Sequence, residues 1–254
     1  MAITWNPADK SADIVLSNGN LTAGKNNTAW KSVRATESKS NGKWYFEVKI
    51  TCSSGANVGV GVMQSVGGLE TWVGADAFGW VFLGDGYNGN GGAFSSYGLS
   101  IVSNDVVMVA VDFDASKIWW GKNGSWFNSG DPSIGSNPAY TSVTGNIYPA
   151  CSLRTSAETA TARFLDSSFS YAVPVGFYAW GVVPVSLSGN CIKAGAGGAD
   201  LVAIHDWTTR TLIETIIPDQ ITGAWAASIH AGQYSITYTA SGCQPICHGP
   251  YVVS

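Results

Sequence analysis

Asp112 and Asp114 lie two positions apart in Val111-Asp112-Phe113-Asp114. Carboxylates so spaced at a strand end project to one side, as a general acid and its base require. The same pair at the mouth of a hairpin has a simpler use, because an Asp at a turn accepts hydrogen bonds from the backbone that reverses there. Turn capping is the expected role. A second candidate is residues 243–248, Cys-Gln-Pro-Ile-Cys-His, with Cys191, His205 and His230 elsewhere to complete a ligand set. Structural zinc sites show close ligand pairs twice over, and this run supplies one loose pair. Three readings stay open: zinc, a disulfide from Cys191 to Cys243 or Cys247 formed in an oxidising compartment, and free thiols, which are expected. The third candidate is residues 84–92, Gly-Asp-Gly-Tyr-Asn-Gly-Asn-Gly-Gly. A phosphate loop needs a following helix and usually a lysine, and calcium needs several carboxylates where only Asp85 is present. A mobile surface loop is expected there.

No Gly-x-Ser-x-Gly elbow, no Ser/His/Asp order with supporting context and no dinucleotide fingerprint occurs. The expectation is a non-enzymatic protein without metal or cofactor. A formal net charge of -4 and the lack of any Lys/Arg run give no basic stripe to neutralise phosphates, which argues against nucleic acid. No stretch is long and apolar enough to cross a bilayer as a helix, and the first residues lack a basic segment followed by an apolar run. Synthesis and folding in a cytosol without membrane insertion are expected. The 5 cysteines are odd in number and irregular in spacing, which does not describe a disulfide framework. Cys52 and Cys151 sit in apolar strand contexts and read as small core residues.

The elements that must position these residues are strands. Val107, Val109, Val111 and Phe113 alternate with Met108, Ala110 and Asp112, the period of a strand with one buried face. Ile118-Trp119-Trp120 then returns, and Asn123-Gly124 accepts the positive backbone angles of a tight hairpin before Ser125-Trp126-Phe127. Trp44, Phe46, Val48 and Ile50 share one face of a second half-buried strand while Tyr45, Glu47 and Lys49 share the other. Val58-Gly59-Val60-Gly61-Val62 carries glycine on one face, as expected where another backbone or ring packs closely. Residues 79–83 and 147–153 read as further strands, and Thr159-Ala160-Thr161-Ala162 favours strand over helix. After Gly181 the texture changes, and new β segments follow at 201–205, 211–217, 225–229 and 234–239. A boundary is expected between 1–181 and 182–254, with little linker because no Ser/Pro-rich spacer intervenes. Most aromatic residues should pack inside, and Trp72, Tyr87 and Tyr97, read as loop residues, are candidates for contact with sugar or protein.

Several motifs occur in one order: Val33-Arg34-Ala35-Thr36 with Gly42-Lys43-Trp44-Tyr45-Phe46-Glu47-Val48, then Val58-Gly59-Val60-Gly61. They continue with Asn104-Asp105-Val106-Val107 through Asp112-Phe113-Asp114 and Asn123-Gly124, then Ile147-Tyr148-Pro149-Ala150, and close on Val173-Pro174-Val175-Gly176-Phe177. This order resembles a SPRY domain, and the opening Trp5-Asn6-Pro7-Ala8-Asp9-Lys10 resembles the version carried by bacteriophage proteins. The resemblance implies an all-β fold: a concanavalin-like antiparallel β-sandwich over 1–181, followed by a smaller sandwich over 182–254 that resembles a transthyretin-like or carboxypeptidase-regulatory-like domain. It implies ligand contact through loops at Leu83 and at Arg154 and Thr155, where peptide-binding members carry aromatic side chains and this sequence does not. With Trp72, Asp85, Tyr87 and Tyr97, these form the candidate ligand-binding set. The resemblance further implies a virion component, a tail-fibre or tail-tip protein assembled in the host cytoplasm. Its expected partners are a bacterial surface glycan, pilus or outer-membrane protein, other virion proteins and further copies of itself. A structural decoration or assembly protein of capsid or baseplate is the alternative.

Overall fold

The computed structural model describes residues 3–53, 57–182, 185–190, 201–206, 212–217, 224–229, 232–239 and 246–253. The chain divides into two compact units, Met1–Gly181 and Val182–Ser254. The first begins with β1 (Trp5–Lys10), β2 (Ile14–Ser17), β3 (Thr22–Lys25), β4 (Lys31–Ala35) and β5 (Lys43–Thr51). It continues with β6 (Val58–Gln64), β7 (Gly79–Leu83), β8 (Tyr87–Asn90), β9 (Ala93–Ser96), β10 (Val106–Asp112), β11 (Lys117–Lys122) and β12 (Ser125–Trp126). It ends with β13 (Ile147–Leu153), β14 (Thr159–Arg163) and β15 (Tyr178–Ala179). One sheet has the order β1-β4-β13-β6-β7-β8-β9, and the other β12-β11-β10-β5-β14-β3-β2 with β15 parallel to β5. The remaining ladders of these two sheets are antiparallel.

The two sheets form a sandwich because each presents a row of alternate apolar residues to the other. Trp44, Phe46, Val48 and Ile50 of β5 and Val107, Val109 and Val111 of β10 meet Val58, Val60 and Val62 of β6, Phe82 of β7 and Cys151 of β13 in one buried cluster. Each such side chain contributes about 1.5–3 kcal/mol on burial. Cys52 and Cys151 are both buried free thiols. Gly61 lets β6 approach β7: an added Cβ would stand 1.9 Å from the carbonyl oxygen of Trp80. The β11–β12 hairpin turns at Asn123 and Gly124, with φ 51° and 87°. Past Trp126 the chain does not continue as a strand; it enters a 3-10 turn, Phe127–Ser129.

The half-buried pattern expected for β5 and β10 is only part of their environment. Both faces are covered. Tyr45, Met108, Ala110 and Trp119 form a second buried cluster with Phe177, closed by Trp126, Phe169, Tyr171 and Val173. Residues 169–177 thus lie as a strap over the outer face of the sheet. The strap is pinned by Glu47, whose side chain is wholly buried. Its carboxylate accepts from the N–H of Ser170 at 2.8 Å and of Tyr171 at 2.9 Å, from the Tyr45 hydroxyl at 2.9 Å, and from Arg163 at 3.1 Å.

The second unit contains β16 (Val185–Asn190), β17 (Leu201–Asp206), β18 (Leu212–Ile216), β19 (Ala224–Ile229), β20 (Gly232–Thr239) and β21 (Ile246–Val253). These pair as β16-β19 and as a four-stranded sheet β18-β17-β20-β21.

Replacing Glu47 with Ala leaves the two strap amides without their acceptor and the Arg163 guanidinium, which keeps the Ser170 hydroxyl, without its charge partner. The expected loss is about 3–5 kcal/mol, read as a lower urea midpoint in unfolding. The near-ultraviolet circular dichroism of the strap aromatics should weaken in the same variant.

Candidate functional site

The residues that first suggest catalysis are committed to turns. Asp112 is buried, accepts from the Ala115 N–H at 2.9 Å and pairs with Lys43 at 3.1 Å. Asp114 accepts from the Gly42 N–H at 2.9 Å. Among the described residues no three His, Cys, Asp or Glu side chains stand close enough to hold a metal. Cys191, His230 and Cys243 of the thiol-imidazole set lie outside the described residues, as do the side chains of His205, Cys247 and His248.

Residues 84–92 do not form the expected loop. They carry β8, whose partner β9 follows a Gly91-Gly92 turn, with Tyr87 opposite Ser96 and Gly89 opposite Phe94. Glycine hid the strand because the register that β8 adopts is stabilised by neighbours distant in sequence. Trp72 packs over Gly89, where an added Cβ would come within 2.9 Å of its ring. Trp72 stacks on Phe94 at 4.9 Å between ring centroids, so its ring serves the hairpin.

One end of the sandwich gathers most of the candidate set. The N–H of Gly84 donates to Val58 O at 2.8 Å and that of Arg154 to Asn57 O at 2.9 Å, which sets the Leu83 and Arg154 ends of their strands on either side of the start of β6. Leu83 itself is 7% exposed and packs with Val81 and Met63, because it continues the outer-face alternation of β7. Arg154 is exposed. Thr155 is held inward, its N–H and hydroxyl both bonded to the buried Glu158 carboxylate. Asp85 is exposed in the β7–β8 turn, and Tyr87 is 43% exposed on β8. Tyr97 is largely internal, packed edge-on against Phe82, Trp120 and Phe127.

Beside this end runs an open groove of about 560 Å³, whose walls include Tyr97, Leu99, Lys122, Trp126 and Phe127. Leu99 is 69% exposed. Gly98 makes the groove floor possible, since an added Cβ would meet the Phe127 ring at 2.6 Å. Asp105 fixes the wall: it pairs with Lys122 at 3.1 Å and accepts from Asn123 at 2.6 Å and from the Val102 N–H at 2.8 Å. Burial works to raise this carboxyl, but those donors outweigh it and hold Asp105 below the ordinary carboxylate range. Burial pushes the Tyr97 phenol up to about 12, and burial with the Glu47 charge pushes Tyr45 upward too. The sequence signals for Leu99, Trp126 and Phe127 were weak but present. Leu99 is an isolated aliphatic residue within the Ser/Gly-rich run 95–100. Trp126 and Phe127 follow a hairpin turn that the sequence shows, but that Phe127 leaves the strand after Trp126 is seen only in the structure.

The SPRY domain family model matches residues 43–165. The chain is 31% identical over 184 residues to Ran-binding protein 9 of Xenopus tropicalis, covering 67% of this chain and 31% of that protein. Against Ran-binding protein 10 of Danio rerio it is 32% identical, covering 67% of this chain and 28% of that protein. The crystal structure of the SPRY domain of human HERC1 shares the fold, with a TM-score of 0.52 and 16% identity over 62% of this chain and 96% of that one. The first unit therefore contains a SPRY domain, and the fold is the antiparallel β-sandwich that the sequence resemblance implied. The chain spans less than a third of the length of the curated relatives it matches. The phage reading does not survive these relatives. They are Ran-binding proteins of frogs, fish and mammals, which overturns the virion component, the tail and capsid assignments, the bacterial receptor and the virion location. The motif order reports a sandwich architecture, and architecture does not report host.

Stability should fall as pH rises through about 10, where tyrosines of the unfolded chain ionise, because Tyr97 and Tyr45 keep their protons longer in the folded state. The folded form then holds more protons than the unfolded one, so the sign is destabilising. Urea midpoints at pH 9 and pH 11 check this, and removing the effect with Tyr97→Phe assigns part of it.

Proposed function

We propose that this chain is a non-enzymatic protein-recognition module that holds a segment of a eukaryotic partner protein in the groove between the β9 exit and the β11–β12 hairpin. One observation carries the reading: Leu99 stands exposed over a groove whose walls include half-buried Trp126 and the buried core residue Phe127, on a wall locked by the Asp105–Lys122 pair. Exposed apolar side chains on a rigid support are what a partner segment can bury with little ordering cost. The relatives support the class, since the name Ran-binding protein records binding. The turn-capping use of Asp112 and Asp114 supports the absence of an acid–base pair there. The second unit, with its four-stranded and two-stranded sheets, is read as a small transthyretin-like sandwich appended to the module.

Purified Ran is the first probe, followed by photo-cross-linking of the full chain in a eukaryotic cell extract. Partner peptides should cross-link to residues 96–99 and 122–128. Leu99→Glu should weaken capture about tenfold or more, with an unchanged unfolding midpoint because Leu99 is exposed. Capture that is indifferent to Leu99→Glu, or cross-links confined to other faces, would overturn the groove as the binding surface.

A further inference from the structure

The free edge of the seven-stranded sheet has chemistry of its own. Among the described residues β9 is the terminal strand of that sheet and pairs only with β8. All four of its residues, Ala93, Phe94, Ser95 and Ser96, are exposed. Natural edge strands are usually blunted by charge, proline or a bulge. At the opposite edge of the same sheet β1 has all three, with Pro7, Asp9, Lys10 and a register irregularity. β9 has no charge and no proline within it.

Which backbone groups are open follows from register. Tyr97 N–H donates to Gly86 O at 3.0 Å, so the 86/97 pair is a bonded one. Bonded and non-bonded pairs alternate along an antiparallel ladder, which makes 88/95 and 90/93 the other bonded pairs. The N–H and C=O of Phe94 and Ser96 therefore point away from β8, spaced as the edge of a strand, and among the described residues no further backbone hydrogen bond engages them. An extended backbone satisfies such a row of donors and acceptors; a compact side-chain surface does not.

Two further features state the chemistry of the occupant. Phe94 is 54% exposed over Trp72, with Tyr87 on the neighbouring strand 43% exposed, a platform for apolar side chains at alternate positions. Asp85 precedes Gly86, which receives the end of β9, and among the described residues its exposed carboxylate has neither ion pair nor hydrogen bond. A free anion beside an uncharged edge favours a cation on the incoming segment. β9 also runs directly into Ser96, Tyr97, Gly98 and Leu99 of the groove wall, so a segment lying along the edge continues into the groove.

We propose that β9 accepts an extended segment of a partner protein, alternately apolar and ending in Lys or Arg, as an added strand bonded to Phe94 and Ser96. This deepens the recognition reading above and rests on it for the partner being a protein. The probe is a labelled synthetic peptide, Lys-Thr-Val-Thr-Val-Thr-Lys, with a second copy methylated on its central backbone nitrogens. Bound probe should slow amide hydrogen exchange at Phe94 and Ser96 about tenfold or more while leaving Ala93 and Ser95, already bonded to β8, unchanged. The methylated probe, Ser96→Pro and Asp85→Lys should each weaken binding about tenfold. The methylated probe tests the unaltered protein, so the conclusion does not depend on Ser96→Pro retaining the hairpin. Equal binding of the methylated probe, binding without slowed exchange at Phe94 and Ser96, or no binding at millimolar probe would overturn the edge. Groove cross-links that persist without protection of these amides leave the recognition reading standing and remove only the added strand.

Discussion

A buried carboxylate holds the first unit in its final form. Glu47 is taken wholly out of water, at a cost that only strong partners offset. Two strap amides, the Tyr45 hydroxyl and Arg163 supply them. That arrangement ties residues 169–171 to the middle of β5, and the strap then covers Tyr45, Met108 and Trp119. Without the strap, the sheet would expose an aromatic outer face. With it, β5 and β10 become central strands buried on both sides, and the chain returns through β15 to pair with β5.

Rigidity at that centre is transmitted to the surface that the proposed binding uses. β10 is joined along its length to β5 on one side and to β11 on the other, and β11 ends in Lys122, which Asp105 holds from the loop before β10. The groove walls therefore hang from strands fixed on both faces. Phe127 packs against Phe82 at 4.8 Å across the sandwich, so the groove floor is also part of the core. Recognition surfaces placed on such supports lose little freedom when they bind.

Particular residues show where the sequence was legible. Alternation over β5 and β10, glycine in β6 and the Asn123-Gly124 turn all announce local geometry, and the structure contains each of them. The SPRY motif order led to the same fold that the family and structural matches show. β8 and β9 were not legible, because Tyr-Asn-Gly-Asn and Ala-Phe-Ser-Ser have weak strand preference and take their register from β7 and Trp72. Leu83 looked like a loop contact from its place in the motif order, yet its side chain belongs to the outer-face packing of β7. Host and partner were misread for a different reason: motifs that specify a sandwich are silent about the cell it works in.

The sequence by itself determined the strands with strong period, the hairpin turns and the antiparallel sandwich class, because these depend on side-chain alternation and backbone angles within a few residues. Only the tertiary structure decided that residues 169–177 close the outer face around Glu47, that Leu99, Trp126 and Phe127 share a groove, and that β9 is left as an open edge among the described residues. Those outcomes depend on contacts between segments distant in the chain. Such contacts leave no period in the sequence to read.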